Sequence, residues 1–329
     1  MAAPQTAPPS TAAPPQPRMT LSKVTTGKQQ QPQRILLYGT EGIGKSTFGA
    51  GAPKPIFLPV EQGSHHLDVA RFQKPESWRD ILDAVRTLTV EAHEYQTLVI
   101  DTVDAAEPLL WRMMIERDQT KDRNGKPKLR DIEDYGYGKG FQKALDDWRV
   151  LLKALETLQA TKSMHVVLLA HSLVRTFKNP EGEDYDRYEL KLNVKASGLV
   201  KEWADCVLFA QLETFAKRDE ATKRVRGFDS GARLLRVERR AAYDAKNRFG
   251  ITEAVPLSWA DFDEATRREV DVAALTAEVL RKAKELGPEL EATIAATVTK
   301  AAGNTASLIS INNRVNARLA EKAAQEEEG

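Results

Sequence analysis

The chain has 329 residues, 41% hydrophobic and 29% charged, with 48 Lys and Arg against 47 Asp and Glu and a formal net charge of +1. That length can bury one sizeable α/β core and leave residues for a tail, and the balanced charge excludes a global field that gathers nucleic acid, so any basic surface is local. A single cysteine excludes an intramolecular disulfide framework and a cysteine-ligated zinc site. No apolar run reaches membrane-spanning length and the first residues lack the apolar core of a secretion signal, so a cytoplasmic protein with no membrane partner is expected.

Residues 1–33 are dominated by Pro, Ala, Gln, Thr and Ser, too few large apolar side chains to offset chain entropy, and read as a disordered arm. Residues 34–38 form the first core strand. Gly39, Thr40, Glu41, Gly42, Ile43, Gly44, Lys45 and Ser46 follow, leading into Thr47. The spacing G-x-x-x-x-G-K-S between a strand and a helix is that of a P-loop. Its amides cradle phosphate oxygens, Lys45 reaches the β- and γ-phosphates, and Ser46 binds Mg²⁺. ATP and Mg²⁺ are therefore the expected ligands.

A short strand over 56–60 ends at Glu61, and apolar residues Trp78, Ile81, Leu82, Val85 and Leu88 recur at helical spacing after it. Residues 97–102 are a continuous apolar run closed by Asp101, as in a buried parallel strand. A helix over 105–117 gives way to a charged, glycine-containing stretch over 118–140, long enough to be functional or mobile. Helical periodicity resumes over 141–160. A fourth strand over 164–170 ends at His171, and 173–196 reads as a second long polar segment. Strands over 206–212 and 233–238 flank a locally basic region: residues 211–250 hold eleven Lys and Arg against six acids, which favours a nucleic-acid partner only weakly. Cys206 lies in an apolar run and reads as a small core residue. Beyond about residue 260 the composition shifts to Ala, Glu, Lys and Leu, predicting two or three helices broken at Gly287-Pro288 and Gly303-Asn304.

Alternating strands and helices predict a mainly parallel, twisted α/β sheet covered by helices on both faces. The expected division is an arm over 1–33, an ATPase core over 34–260 and a helical extension over 261–329. Phosphoryl transfer needs a metal, a charge clamp and a group that orients water. Asp101 at a strand end fits a Mg²⁺ ligand beside a P-loop, its other reading being a cap on the next helix. Glu61 either orients the attacking water or is a solvated loop acid. His171 either senses the γ-phosphate and relays it to the segment behind it or is structural.

In their order, 39–46, Glu61 after the second strand, 98–102, Ala170-His171-Ser172, 204–209 and Ala245-Lys246-Asn247-Arg248 resemble the RecA-like P-loop ATPase core and, within it, the phage-encoded Sak-type family of ATP-dependent single-strand annealing proteins. The resemblance implies that Glu61 activates water and that His171 is the γ-phosphate sensor. It implies that Lys246 and Arg248 are a Lys-x-Arg pair inserted into a neighbouring subunit's nucleotide site, so that the working form is a homo-oligomer, ring or filament. It also places 118–140 and 173–196 where the two DNA-binding loops lie. These loops mix aromatic and basic residues, which suits single-stranded DNA, although acids are interspersed. The expected activity is DNA-stimulated ATP hydrolysis in annealing or recombination, with a single-strand binding protein as a further partner. The alternatives are a ring-forming helicase or translocase and a nucleotide-dependent switch or binding module.

Overall fold

Side chains that alternate between two buried faces build the core of this protein. The computed structural model describes residues 20–21, 24–27, 31–180, 182–218, 225–267, 271–301 and 304–328. Most of the expected disordered arm and Gly303 lie outside the described residues. Residues 1–31 form one unit and 32–329 another. Within the described part of the first, the Val24 amide donates to the Leu21 carbonyl at 3.1 Å.

In the second unit the elements are β1 (Arg34–Gly39), α1 (Lys45–Ala50), β2 (Pro55–Pro59), β3 (Ala70–Arg71), α2 (Trp78–Val90), β4 (Thr97–Asp101), α3 (Val103–Asp118), α4 (Lys139–Lys162), β5 (His165–Phe177), β6 (Tyr185–Leu190), α5 (Val194–Trp203), β7 (Cys206–Arg218), β8 (Val225–Arg236), β9 (Val255–Pro256), α6 (Trp259–Arg267), α7 (Val272–Lys284), α8 (Pro288–Lys300) and α9 (Thr305–Glu328). The main sheet runs β3-β2-β4-β5-β1-β7-β8-β9. It is parallel from β3 to β7 and antiparallel at β8 and β9. The P-loop strand β1 thus sits between β5 and β7, and β5 separates it from the strand that ends in Asp101.

Leu36, Leu98, Ile100, Val166 and Leu168 face α2, α4 and α5, where Trp78 and Trp148 meet edge to face at 5.2 Å. Ile35, Leu37, Val99, Val167, Leu169 and Cys206 face the other way, onto Phe48 of α1 and onto Trp259 and Phe262 of α6. Burial of both faces explains the near-continuous apolar runs of these strands, and the expected α/β architecture is the one observed. Helix α6 shares its core with the P-loop helix. Helices α7, α8 and α9 bury a separate apolar cluster among themselves and touch the sheet region through Asn313 Nδ2, which donates to Glu238 Oε1 at 2.8 Å. Pro288 starts α8, where its missing N–H costs nothing.

The polar segments differ from expectation. Residues 173–196 are mostly a β-hairpin: β5 continues past the sheet and pairs antiparallel with β6, Ser172 opposite Leu190 and Phe177 opposite Tyr185. Both faces of this ribbon are partly exposed, so its strands carry no apolar run, and only the cross-strand pairing reveals them. Residues 118–140 contain a 3-10 turn at Ile132–Tyr135 with an Asp131/Asp134 capping box. Tyr135 Oη ties it to the end of α3 through Asp118 Oδ2 at 2.8 Å. Strand β7 runs on past its expected end to Arg218, and β8 begins earlier than expected, at Val225, but stops at Arg236.

Candidate nucleotide site

The site forms at the carboxyl ends of the parallel strands, where an open α/β sheet presents its ligands. Gly39 ends β1 so close to β7 that a Cβ there would lie 2.5 Å from the Ala210 carbonyl oxygen. Gly42 and Gly44 take φ of 72° and 110°, a region that L side chains rarely adopt. These two glycines turn the chain back over the strand end and start α1 at Lys45. Among the described residues, no carbonyl or side chain accepts from the amides of Gly42, Gly44, Lys45 or Ser46. Lys45 is buried, and its ammonium donates to the Gly39 and Thr40 carbonyls at 3.2 and 2.9 Å. Undirected amides around a held cation are the donor set a polyphosphate requires, so the residues fit ATP.

Ser46 Oγ donates to Asp101 Oδ2 at 2.7 Å. The hydroxyl and the carboxylate predicted for Mg²⁺ therefore converge, both being hard oxygen ligands that suit this ion together with phosphate oxygens. Burial raises the Asp101 carboxyl, opposed by the Ser46 hydrogen bond and by Lys45. Burial likewise lowers Lys45, opposed by Asp101, Asp104, Glu61 and Glu41. The main-chain carbonyl of Asp101 accepts from the amides of Val60 and Glu61 at 2.7 and 3.1 Å, which fixes Glu61 beside the metal-binding strand. Glu61 is half-buried, its carboxyl is raised chiefly by burial, and its Oε1 lies 3.7 Å from His171 Nε2.

His171 does not end its strand. It sits at the point where β5 leaves the parallel sheet, opposite Gly39 on β1, and the next residue already pairs with β6. Asp104 grips it twice: the His171 amide donates to Oδ1 and the ring Nδ1 lies against Oδ2, both at 2.9 Å. Sequence reading missed Asp104 because nothing local distinguishes it from a solvated first-turn acid; its partner is 67 residues away. Glu107, one turn further along α3, was also missed. It is buried, accepts from the Asn193 amide at 3.0 Å, and burial pushes it up to about 7 against that hydrogen bond.

Arg233 on β8 is a third residue that the sequence did not single out. A Cβ on Gly44 would lie 3.1 Å from its guanidinium Nη1, so this cation stands against the P-loop from the chain's own β8. Gly44→Ala would combine that contact with positive-φ strain of about 1–2 kcal/mol. The expected result is nucleotide affinity weakened about tenfold, read by titration with a fluorescent ATP analogue.

Lys246 and Arg248 are not at this site. Lys246 pairs with Val207, and Arg248 lies 3.4 Å from Asp205, which also holds Arg34 at the start of β1. That is the opposite end of the strand, about 15 Å from the P-loop at roughly 3.3 Å per residue. Lys246 Nζ donates to the Lys201 and Glu202 carbonyls at 2.8 and 3.3 Å, capping the C-terminus of α5, where a cation is favoured. Neither residue reaches its own P-loop. Among the described residues no cluster of three or more His, Cys, Asp or Glu could hold a metal, and no helix is long and apolar enough to cross a membrane.

A P-loop on a parallel strand, a Ser–Asp pair placed for a metal and a glutamate at the adjacent strand end make up the nucleotide site of a P-loop protein. More particularly, the chain belongs to the AAA domain family AAA_24, whose model matches residues 31–249. It is 31% identical over 97 residues to the SPbeta prophage-derived uncharacterized protein YorG of Bacillus subtilis (strain 168), a match spanning 27% of this chain and only 30% of that relative's length. A crystal structure of the RadB recombinase aligns at 10% identity over 64% of this chain and 84% of its own, with a TM-score of 0.34.

Proposed function

We propose that this chain hydrolyses ATP to drive annealing or homologous recombination on single-stranded DNA, as a phage-encoded protein of the Sak type acting as a homo-oligomer. One observation carries the reading: the strand that brings His171 to the P-loop continues without a break into an exposed hairpin bearing aromatic and basic side chains. On it, Phe177 and Tyr185 lie 5.2 Å apart, with Arg175 and the exposed Lys178 on the same hairpin beside Glu189 and Asp184, while the buried Arg187 backs Phe177 from within. Aromatic platforms among cations are the means of holding single strands, and a rigid strand is a direct mechanical link from phosphate to DNA. The similarity to a prophage-derived protein supports a phage origin. A single-strand binding protein remains part of the proposal as a partner, as does the division into arm, ATPase core and helical extension.

In this reading the P-loop amides and Lys45 hold the phosphates, and Ser46 and Asp101 would hold Mg²⁺, which would supply positive charge against the phosphate oxygens. Glu61 accepts a proton from water as its oxygen bonds to the γ-phosphorus and the bond to the bridging oxygen breaks, leaving ADP and phosphate. Glu61→Gln keeps the shape and loses the base. The expected outcome is a fall in turnover of about 10²-fold with ATP binding retained; unchanged DNA function in that variant would favour the switch reading instead. Lys246 and Arg248 are assigned to a neighbour's site, because their own P-loop is out of reach. Arg248→Ala is then expected to lower turnover in the assembled protein and to leave the dilute monomer unaffected. Equal turnover in the assembled variant and wild type removes the assignment.

The deciding experiment is ATP turnover with and without single-stranded DNA, together with direct DNA binding by fluorescence anisotropy. Stimulation with binding is expected. Turnover indifferent to DNA, with no binding, overturns the recombination reading while leaving the ATPase intact. Directional duplex unwinding would instead identify a helicase motor.

A further inference from the structure

We propose that Asp104 is a positioning residue that locks the His171 ring with Nδ1 protonated and Nε2 turned toward Glu61 and the P-loop. Its consequence for turnover rests on the ATPase reading above; the ring geometry does not.

Asp104 lies in the first turn of α3, immediately after the helix is capped by Thr102, whose Oγ1 accepts from the Ala105 amide. A carboxylate there gains from the helix dipole and needs no second partner for stability. It nevertheless spends both oxygens on one residue, bonding the main-chain N–H and the ring nitrogen of His171. An ionised carboxylate only accepts hydrogen bonds. Burial alone would raise Asp104, but the two bonds from His171 outweigh it and hold its carboxyl below the usual range. The ring nitrogen facing it must therefore be the one that carries hydrogen, which leaves Nε2 for Glu61, 3.7 Å away. This is the arrangement by which a buried acid selects a histidine tautomer.

The backbone is held as firmly as the ring. The His171 carbonyl accepts from the Lys191 amide at 2.9 Å, at the foot of the hairpin, while its amide is on Asp104. Groups from every neighbouring element face the ring: Asp104 of α3, Glu61 after β2, and Lys45 of α1, with Asp101 of β4 sensing its charge as well. Their opposing signs make ring orientation consequential, since a flipped ring would turn Cε1 rather than Nε2 toward Glu61 and Cδ2 rather than Nδ1 toward Asp104. Geometric errors of this kind at a reacting centre cost about 10- to 100-fold.

The test uses the full chain. Nitrogen NMR of histidine-labelled protein, without nucleotide and at a pH that leaves the ring neutral, is expected to show His171 as the Nδ1–H tautomer, its signal assigned by loss in His171→Gln. Asp104→Asn should shift that signal toward the Nε2–H form, and Asp104→Glu should keep it. In steady-state assays Asp104→Asn should lower kcat about 10- to 100-fold with the KM for ATP within about twofold, and should add nothing in a His171→Ala background, as expected of residues that act as a unit. An Nε2–H ring in the unaltered chain overturns the proposal even if the variants fail to fold. So does an equal loss on adding Asp104→Asn to His171→Ala. If wild type shows no ATP turnover at all, the ATPase reading fails, and the NMR result still decides the role of Asp104.

Discussion

Replacing Lys45 by alanine is expected to bring ATP turnover below detection, a loss of at least about 10³-fold for a group that carries charge in phosphoryl transfer. The structure explains why the effect should be so large. Lys45 is 6% exposed and its ammonium is already parked on the Gly39 and Thr40 carbonyls, so it reaches phosphate with little reorganisation. It is also the cation facing Asp101, Asp104 and Glu61. Without it three carboxylates share a site meant for a polyanion, and nucleotide binding should weaken together with turnover. Phosphate release and binding of a fluorescent ATP analogue test both parts. Retention of more than about a tenth of wild-type turnover, a barrier change below about 1.4 kcal/mol, would remove the P-loop from the reaction.

The second large effect is on stability. Asp244 accepts from Arg187 Nη2 at 2.6 Å and from Lys201 Nζ at 2.7 Å, with Arg239 Nε at 3.4 Å, and its main-chain carbonyl accepts from Tyr38 Oη at 2.6 Å. Arg187 is 3% exposed. Removing the acid strands a buried guanidinium, a change that costs about 3–5 kcal/mol, so Asp244→Ala should lower the midpoint of urea unfolding substantially. Replacing Arg187 and Asp244 together by apolar residues of similar volume should recover much of the loss, because the buried guanidinium is then gone and the cations that remain, Lys201 and Arg239, reach water.

The pH dependence of the same cluster follows from the sign of its shift. Burial raises the Asp244 carboxyl, but the hydrogen bond from Lys201 and the charges of Lys201 and Arg187 outweigh it, leaving a net depression below the ordinary value of 3.8. A depressed acid binds fewer protons folded than unfolded. Its stabilisation is present above pH 3.8 and is lost as pH falls below that value through the folded pKa. The Asp244→Ala penalty should therefore shrink in that acid range. A constant penalty would mean that packing rather than charge holds the cluster.

What was legible in the sequence depended on whether a feature is local. The P-loop is eight contiguous residues whose conformation is dictated by their own glycines, and the buried strands announce themselves because two covered faces demand unbroken apolar runs. Asp101 could be located for the same reason, since it closes such a run. The hairpin after His171 was missed because its strands are partly exposed and are held by distant partners, by each other and by the Ala242 carbonyl, which accepts from the Tyr188 amide. The Arg187–Asp244 pair, 57 residues apart, carried no signal for the complementary reason: each is an ordinary charged residue until the chain folds.

By itself, then, the sequence determined the α/β core and the phosphate loop, and it located the residues proposed to hold ATP and Mg²⁺, because short-range backbone constraints and two-faced burial leave their mark residue by residue. Only the tertiary structure decided that Asp104 grips His171, that Arg233 stands against Gly44, and that Lys246 and Arg248 lie at the far end of the sheet from their own P-loop. These are contacts between distant segments, set by the order in which the strands pair, and no local pattern encodes that order.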